Sequence, residues 1–267
     1  MIIKNEKPFP IEMMWIYDIF PDHPENMSTV AAARKQSQRL IEHAESMGFS
    51  RDLCSYCKTN IGAYDTKIKK TLGGISKPDI VVCTNAICDT HWKWFQIMAD
   101  IKNLTAKGEG TMPGGNEKYR VMWEGILFWY RMRFMYDLAQ SGVVIAFEPY
   151  TYSFAPEKKK CFTMEETLRD VAKLIMDTPY AYNLERRIEN FEKWIDEYKL
   201  DGVILHENMS CRPSSAGMVD LAEAIMRDKG IPALILQCDM NDPRAYSEGQ
   251  IKTRVEGFIE LMEANKK

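Results

Sequence analysis

The 267-residue sequence predicts an α/β protein whose sheets are parallel. Two patterns carry that expectation: short apolar runs bounded by Gly, Pro, Asn or Asp, and longer segments between them with apolar residues at helical spacing. Strands that alternate with helices pair in parallel through right-handed crossovers. A third observation is size, because a chain this long buries one large core or two modest ones. Its composition, 45% hydrophobic and 27% charged, is that of an ordinary globular protein.

The elements follow in order. Met13-Met14-Trp15-Ile16-Tyr17-Asp18-Ile19 is an apolar run of strand length, stopped by the turn residues Pro21, Asp22, His23 and Pro24. A single helix then extends to near Gly48, capped by Asn26 or Ser28 and striped by Val30, Ala33, Leu40, Ile41 and Ala44. Residues 51–57 start a short helix that reaches Gly62. Residues 79–83 read as a buried strand, and Ile87-Cys88-Asp89-Thr90-His91-Trp92 opens the next helix. The densest Gly/Pro cluster, 107–115, reads as a linker or domain boundary; no strand feeds it, so it is no dinucleotide-binding loop.

An aromatic-rich helix is expected over residues 117–140, with a break at Gly125. Strands at 143–147, 202–206 and 233–237 then alternate with helices at 163–176, 184–198, 215–229 and 247–264. The pattern amounts to two Rossmann-like domains, residues 1–106 and 107–267, with the N-terminal one shortened and a cleft between them.

Charge and composition exclude several roles. A net charge of −3 with scattered Lys and Arg, apart from Lys158-Lys159-Lys160, gives no electrostatic footprint for nucleic acid. No stretch has the apolar length to cross a bilayer, and the residues after Met1 lack the h-region of a signal peptide, so a cytoplasmic location is expected. Seven widely spread cysteines argue against a disulfide framework and leave thiols for metals, redox work or packing. Seventeen methionines suit adaptable core filling.

Three cysteines share one kind of position. Cys54 lies near a helix start, Cys88 in the crossover after the strand at 79–83, and Cys211 after the strand at 202–206. Loops beyond the carboxyl ends of parallel strands collect ligands, and three converging thiolates suit a soft metal or an iron–sulfur cluster with one iron left open to substrate. The compact ferredoxin and zinc-finger spacings are absent, so buried structural cysteines stand as the alternative. Cys54-Ser55-Tyr56-Cys57 is formally a C-x-x-C, but it does not follow the strand that a thioredoxin motif requires. Cys83 and Cys238 read as packing residues, and Cys161 follows a basic loop.

His206 at a strand end and His91 in a first helical turn are each either an acid/base group or a hydrogen-bonded histidine near a cleft. Glu25, in Pro24-Glu25-Asn26, is either a general base at a strand end or a first-turn acid complementing a helix dipole. Glu148, after the strand at 143–147, is the equivalent case in the second half.

Seven stretches in this order resemble the 2-hydroxyacyl-CoA dehydratase and benzoyl-CoA reductase family. They are Phe9-Pro10-Ile11-Glu12, His23-Pro24-Glu25-Asn26, Asp52-Leu53-Cys54-Ser55-Tyr56, Pro78-Asp79 through Asn85-Ala86-Ile87-Cys88-Asp89, Asn116-Glu117-Lys118-Tyr119-Arg120, His206-Glu207-Asn208-Met209-Ser210-Cys211 and Asp239-Met240-Asn241-Asp242-Pro243-Arg244. The resemblance spans most of the chain. It implies a subunit that holds a [4Fe-4S] cluster through Cys54, Cys88 and Cys211 at the junction of two Rossmann-like domains. It also implies a second homologous cluster-bearing subunit and a separate ATP-hydrolysing iron–sulfur activator that delivers one electron at a time.

For the dehydratases, the resemblance implies elimination of water from an (R)-2-hydroxyacyl-CoA to a 2-enoyl-CoA through a ketyl radical anion. An unactivated β-hydrogen is too weak an acid for a side-chain base, so the cofactor supplies the driving force. The family pattern assigns Glu25 to proton or hydroxyl handling. Within the family the alternative is a benzoyl-CoA-type reductase subunit; outside that chemistry it is a non-catalytic electron-relay or assembly subunit.

Two departures stand out. The family continues past the Cys88 helix with a further strand and a long helical segment, whereas here Ile101-Lys102-Asn103-Leu104 passes almost at once to the Gly-rich stretch. A family serine run before Phe-Pro is replaced by Asn5-Glu6-Lys7, so a serine contact to substrate does not carry over.

Overall fold

The structure, a computed structural model, describes residues 2–5, 20–22, 24–66, 80–82, 117–150, 163–176 and 181–266. They form two parallel sheets. The first has three short strands, β1 (Ile2–Asn5), β2 (Phe20–Asp22) and β3 (Ile80–Val82), in the order β2-β1-β3. The second has four, β4 (Tyr119–Glu124), β5 (Val143–Phe147), β6 (Gly202–Asn208) and β7 (Ala233–Cys238), in the order β5-β4-β6-β7.

Several expectations change. Residues 2–5 are the central strand of the first sheet, too short a run to announce itself by pattern. Pro21, read as a turn residue, lies in β2 opposite Ile3, on the edge strand where a missing N–H breaks no ladder. Residues 119–124, expected as helix, are β4, a central strand of the second sheet. Its period is two: Tyr119, Val121 and Trp123 enter one core and Met122 the other. The aromatic content suggested a helix, but the alternation belongs to a strand. The run at 13–19, the Cys88 helix and the Gly/Pro cluster lie outside the described residues.

Helices cover both faces of the second sheet. Trp123, Ile204 and Leu236 pack with Phe134 and Leu138 of α4 (Arg133–Gln140) and with Ile251, Val255 and Phe258 of α9 (Glu248–Asn265). The opposite face, with Val203 and Leu205, packs on Phe191 and Ile195 of α6 (Leu184–Tyr198) and Leu221 and Ile225 of α8 (Met218–Lys229). This two-sided burial explains strands that are apolar nearly throughout. Capping is local: Asn183 accepts from the Arg186 N–H at the start of α6, and Thr163 and Glu166 form a capping box on α5 (Met164–Met176).

The expected single helix at 26–48 is two, α1 (Pro24–Ala33) and α2 (Ser37–Ser46), broken where Lys35 takes a φ of 61°. α3 (Ser55–Asp65) follows. It crosses α2 with backbones in contact, because a Cβ at Gly62 would run into the Leu40 carbonyl.

Candidate functional site

The parallel ladders aim the carboxyl ends of β4, β6 and β7 in one direction, and α1 to α3 meet the segments that leave those ends. Cys54 immediately precedes α3, where its carbonyl accepts from the Lys58 N–H at 3.0 Å. Cys211 follows β6, its N–H donating to the Asn208 carbonyl at 3.1 Å, and starts the one-turn helix α7 (Arg212–Ser215). Both thiols reach one apolar cluster: Cys211, 5% exposed, is part of it, and half-buried Cys54 packs against it. Neither is in a disulfide.

A hydrogen-bonded chain ties these two turns together. The Ser55 N–H donates to Ser210 Oγ at 3.2 Å, and the two hydroxyls lie 3.2 Å apart. Thr59 Oγ1 donates to the Ser55 carbonyl at 2.8 Å and accepts from Asn241 Nδ2 at 2.6 Å. The segments after β6 and β7 are thereby fixed to the first two turns of α3. Further out, Lys58 Nζ, nearly fully buried, donates to Glu45 and to the Arg51 carbonyl, and Arg244 bridges Glu45 to Asp242.

Glu25 lies in the first turn of α1 and is only 9% exposed. It is near Tyr56, whose hydroxyl accepts from the Trp129 indole N–H. Burial first, then the nearby charges of Cys54 and Glu25, push the Tyr56 phenol well above its ordinary value, so it stays neutral. Ser28 of the same helix donates to the Tyr56 carbonyl at 2.9 Å. Glu25 and Cys54, separate in sequence, both act electrostatically on one buried tyrosine. Cys88 and His91 lie outside the described residues.

His206 is a packed histidine. It is fully buried, edge-on to Phe128, and its Nδ1 meets the Ile126 carbonyl, which only accepts, so Nδ1 carries the proton. Burial pushes its pKa down to about 4 and the ring remains neutral. Cys238 packs as expected, with burial pushing its thiol up to about 12. Glu148 is half-buried just beyond β5.

Sequence reasoning missed two features. One is the buried ion pair of Glu124, at the end of β4, with Arg187 of α6 at 2.9 Å, where burial works against the carboxylate and Arg187 opposes it. The other is the serine pair beside the cysteines. An acid ending an apolar strand, and a Ser next to Cys54 and to Cys211, were the available signals. Among the described residues, no three His, Cys, Asp or Glu gather as a metal site and no helix is long and apolar enough to cross a membrane.

Parallel strands covered by helices, with Cys211 beyond the end of β6 and Cys54 packed against the same apolar cluster, define an α/β protein with parallel sheets. The chain belongs to the 2-hydroxyglutaryl-CoA dehydratase D-component family, whose model matches residues 8–107 and 101–262. It is 22% identical to the (R)-phenyllactyl-CoA dehydratase alpha subunit of Clostridium sporogenes over 368 residues, covering 97% of this chain and 88% of that one. It is 24% identical to the (R)-2-hydroxyisocaproyl-CoA dehydratase alpha subunit of Clostridioides difficile, covering 97% and 89%. A subunit of the benzoyl-CoA reductase of Thauera aromatica is 27% identical over 62% of this chain and 40% of its own length. The 368-residue alignment exceeds the 267 residues present, so that relative carries sequence with no counterpart here.

Proposed function

We propose that this chain is the cluster-bearing catalytic subunit of an (R)-2-hydroxyacyl-CoA dehydratase, a hydro-lyase. One observation carries the reading: Cys54 and Cys211, from opposite ends of the sequence, reach one apolar cluster beside a buried Glu25. The donor chemistry fits an iron–sulfur group, since thiols at an apolar, hydrogen-bonded site suit soft metal. A [4Fe-4S] cluster held by Cys54, Cys88 and Cys211 would supply one-electron chemistry to the substrate thioester.

The chain's own residues do the rest. Glu25 is the proton acceptor, its carboxylate held in a turn of helix rather than on a mobile loop. Glu25 is 9% exposed and lies near the buried Tyr56, so little bulk water reaches its carboxylate. A second homologous subunit completes the enzyme, in keeping with relatives named as alpha subunits, and an ATP-dependent iron–sulfur activator feeds it electrons.

The deciding assay follows dehydration of (R)-2-hydroxyacyl-CoA by the complex with partner, activator and ATP. Turnover that disappears in Glu25→Gln while the iron is retained supports the reading. Turnover unchanged by that substitution refutes it. The similarity to a benzoyl-CoA reductase favours a second reading, aryl-CoA reduction, and the same assay with benzoyl-CoA separates the two.

A further inference from the structure

Ser55 follows Cys54 and Ser210 precedes Cys211, so the hydroxyl pair joins the two cysteines' backbones and stands one residue from each sulfur. The protons of this pair can be counted. Ser210 Oγ accepts from the Ser55 N–H, and one hydroxyl proton lies between the two oxygens. The pair carries two hydroxyl protons, so one is left over whichever way the shared one points. Ser55 is fully buried, and neither hydroxyl has a further acceptor among the described residues.

A second donor stands beside them. Asn208, 1% exposed, accepts the Ser210 N–H at its Oδ1, while its Nδ2 has no hydrogen-bond partner among the described residues. Buried donors without partners are costly, so a fold that keeps them in one place directs them at an acceptor. Cys54 and Cys211, the chain neighbours of Ser55 and Ser210, carry sulfur able to accept.

We propose that Ser55, Ser210 and Asn208 form a donor shelf whose unspent protons bond to the sulfur atoms of the group that Cys54 and Cys211 hold. They are positioning residues: they set the poise of that group and touch no substrate. Hydrogen bonds to cluster sulfur stabilise the reduced, more negative form and raise the reduction potential. The inference rests on the iron–sulfur reading above and adds to it which side chains set the potential.

The test is an anaerobic redox titration of the reconstituted full chain, followed by electron paramagnetic resonance, comparing wild type, Ser210→Ala, which keeps one unspent hydroxyl proton, and Ser55→Ala with Ser210→Ala, which keeps none. Iron and acid-labile sulfide are measured on each. The expected result is a more negative midpoint for the double variant at unchanged iron content, with Ser210→Ala close to wild type. Equal midpoints in all three, or loss of iron from either variant, overturns the proposal. Absence of iron and sulfide from the wild type overturns the cluster reading instead, so the two failures are distinct.

Discussion

Arg244 grips Glu45 through two hydrogen bonds, Nη2 to Oε1 at 2.8 Å and Nη1 to Oε2 at 3.0 Å, joining α2 to the turn after β7. Arg244 first, and Lys58 with it, hold the Glu45 carboxyl down from 4.5 to about 2, against the opposing effect of burial. A carboxyl whose folded value is depressed contributes stability that is full above its unfolded value and is lost as pH falls toward the folded one. Denaturant midpoints should therefore drop as pH is lowered from about 4.5 toward 2, and Glu45→Gln should flatten that slope. At neutral pH the variant leaves Lys58 without its carboxylate and should cost about 2–3 kcal/mol in urea unfolding.

Glu124 and Arg187 are both buried, so breaking their pair exposes neither charge to water. Arg187→Met should destabilise by about 3–5 kcal/mol, whereas Glu124→Met with Arg187→Met should cost much less, because no orphan charge remains. Equilibrium denaturation of the single and double variants measures the difference. Equal losses would show that the site is partly hydrated.

Tyr56→Phe removes the acceptor of the Trp129 indole N–H. We expect about 1–3 kcal/mol of lost stability, and a smaller loss from Tyr56→Phe when Trp129 is already Phe, because the indole partner is then gone. A double-mutant cycle reads this directly.

Glu25→Gln keeps the shape of the first turn of α1 and removes the carboxylate proposed as the base. Turnover should fall by about 10²–10⁴, the range for a positioned general base, while iron content stays at the wild-type level. A proportional loss of iron would make Glu25 a structural residue instead.

Much of this architecture was legible in the sequence, and what was not has physical reasons. Val143–Phe147 matches because it is an unbroken apolar run between turn signals, and Leu184–Tyr198 because it is long and strongly periodic. β4 was missed because Trp123 and its aromatic neighbours suit either element, and only its place between β5 and β6 decides. Pro21 and Lys35 took conformations their types disfavour, under tertiary control. At the site, position beside strand and helix ends and the family resemblance singled out Cys54, Cys88 and Cys211, yet nothing local could announce that Ser55 meets Ser210 across 155 positions. Glu25 stood out by motif, and its burial against Tyr56 required the fold.

The central claim is that Cys54, Cys88 and Cys211 hold one iron–sulfur group. Iron and acid-labile sulfide, determined after strictly anaerobic reconstitution of wild type and of Cys54→Ala, Cys88→Ala and Cys211→Ala, test it most directly. The account predicts about four of each per wild-type chain, as a [4Fe-4S] centre requires, and loss in every single variant, while Cys238→Ala keeps its cluster. Wild-type protein without iron, or variants that bind as much as wild type, would contradict it.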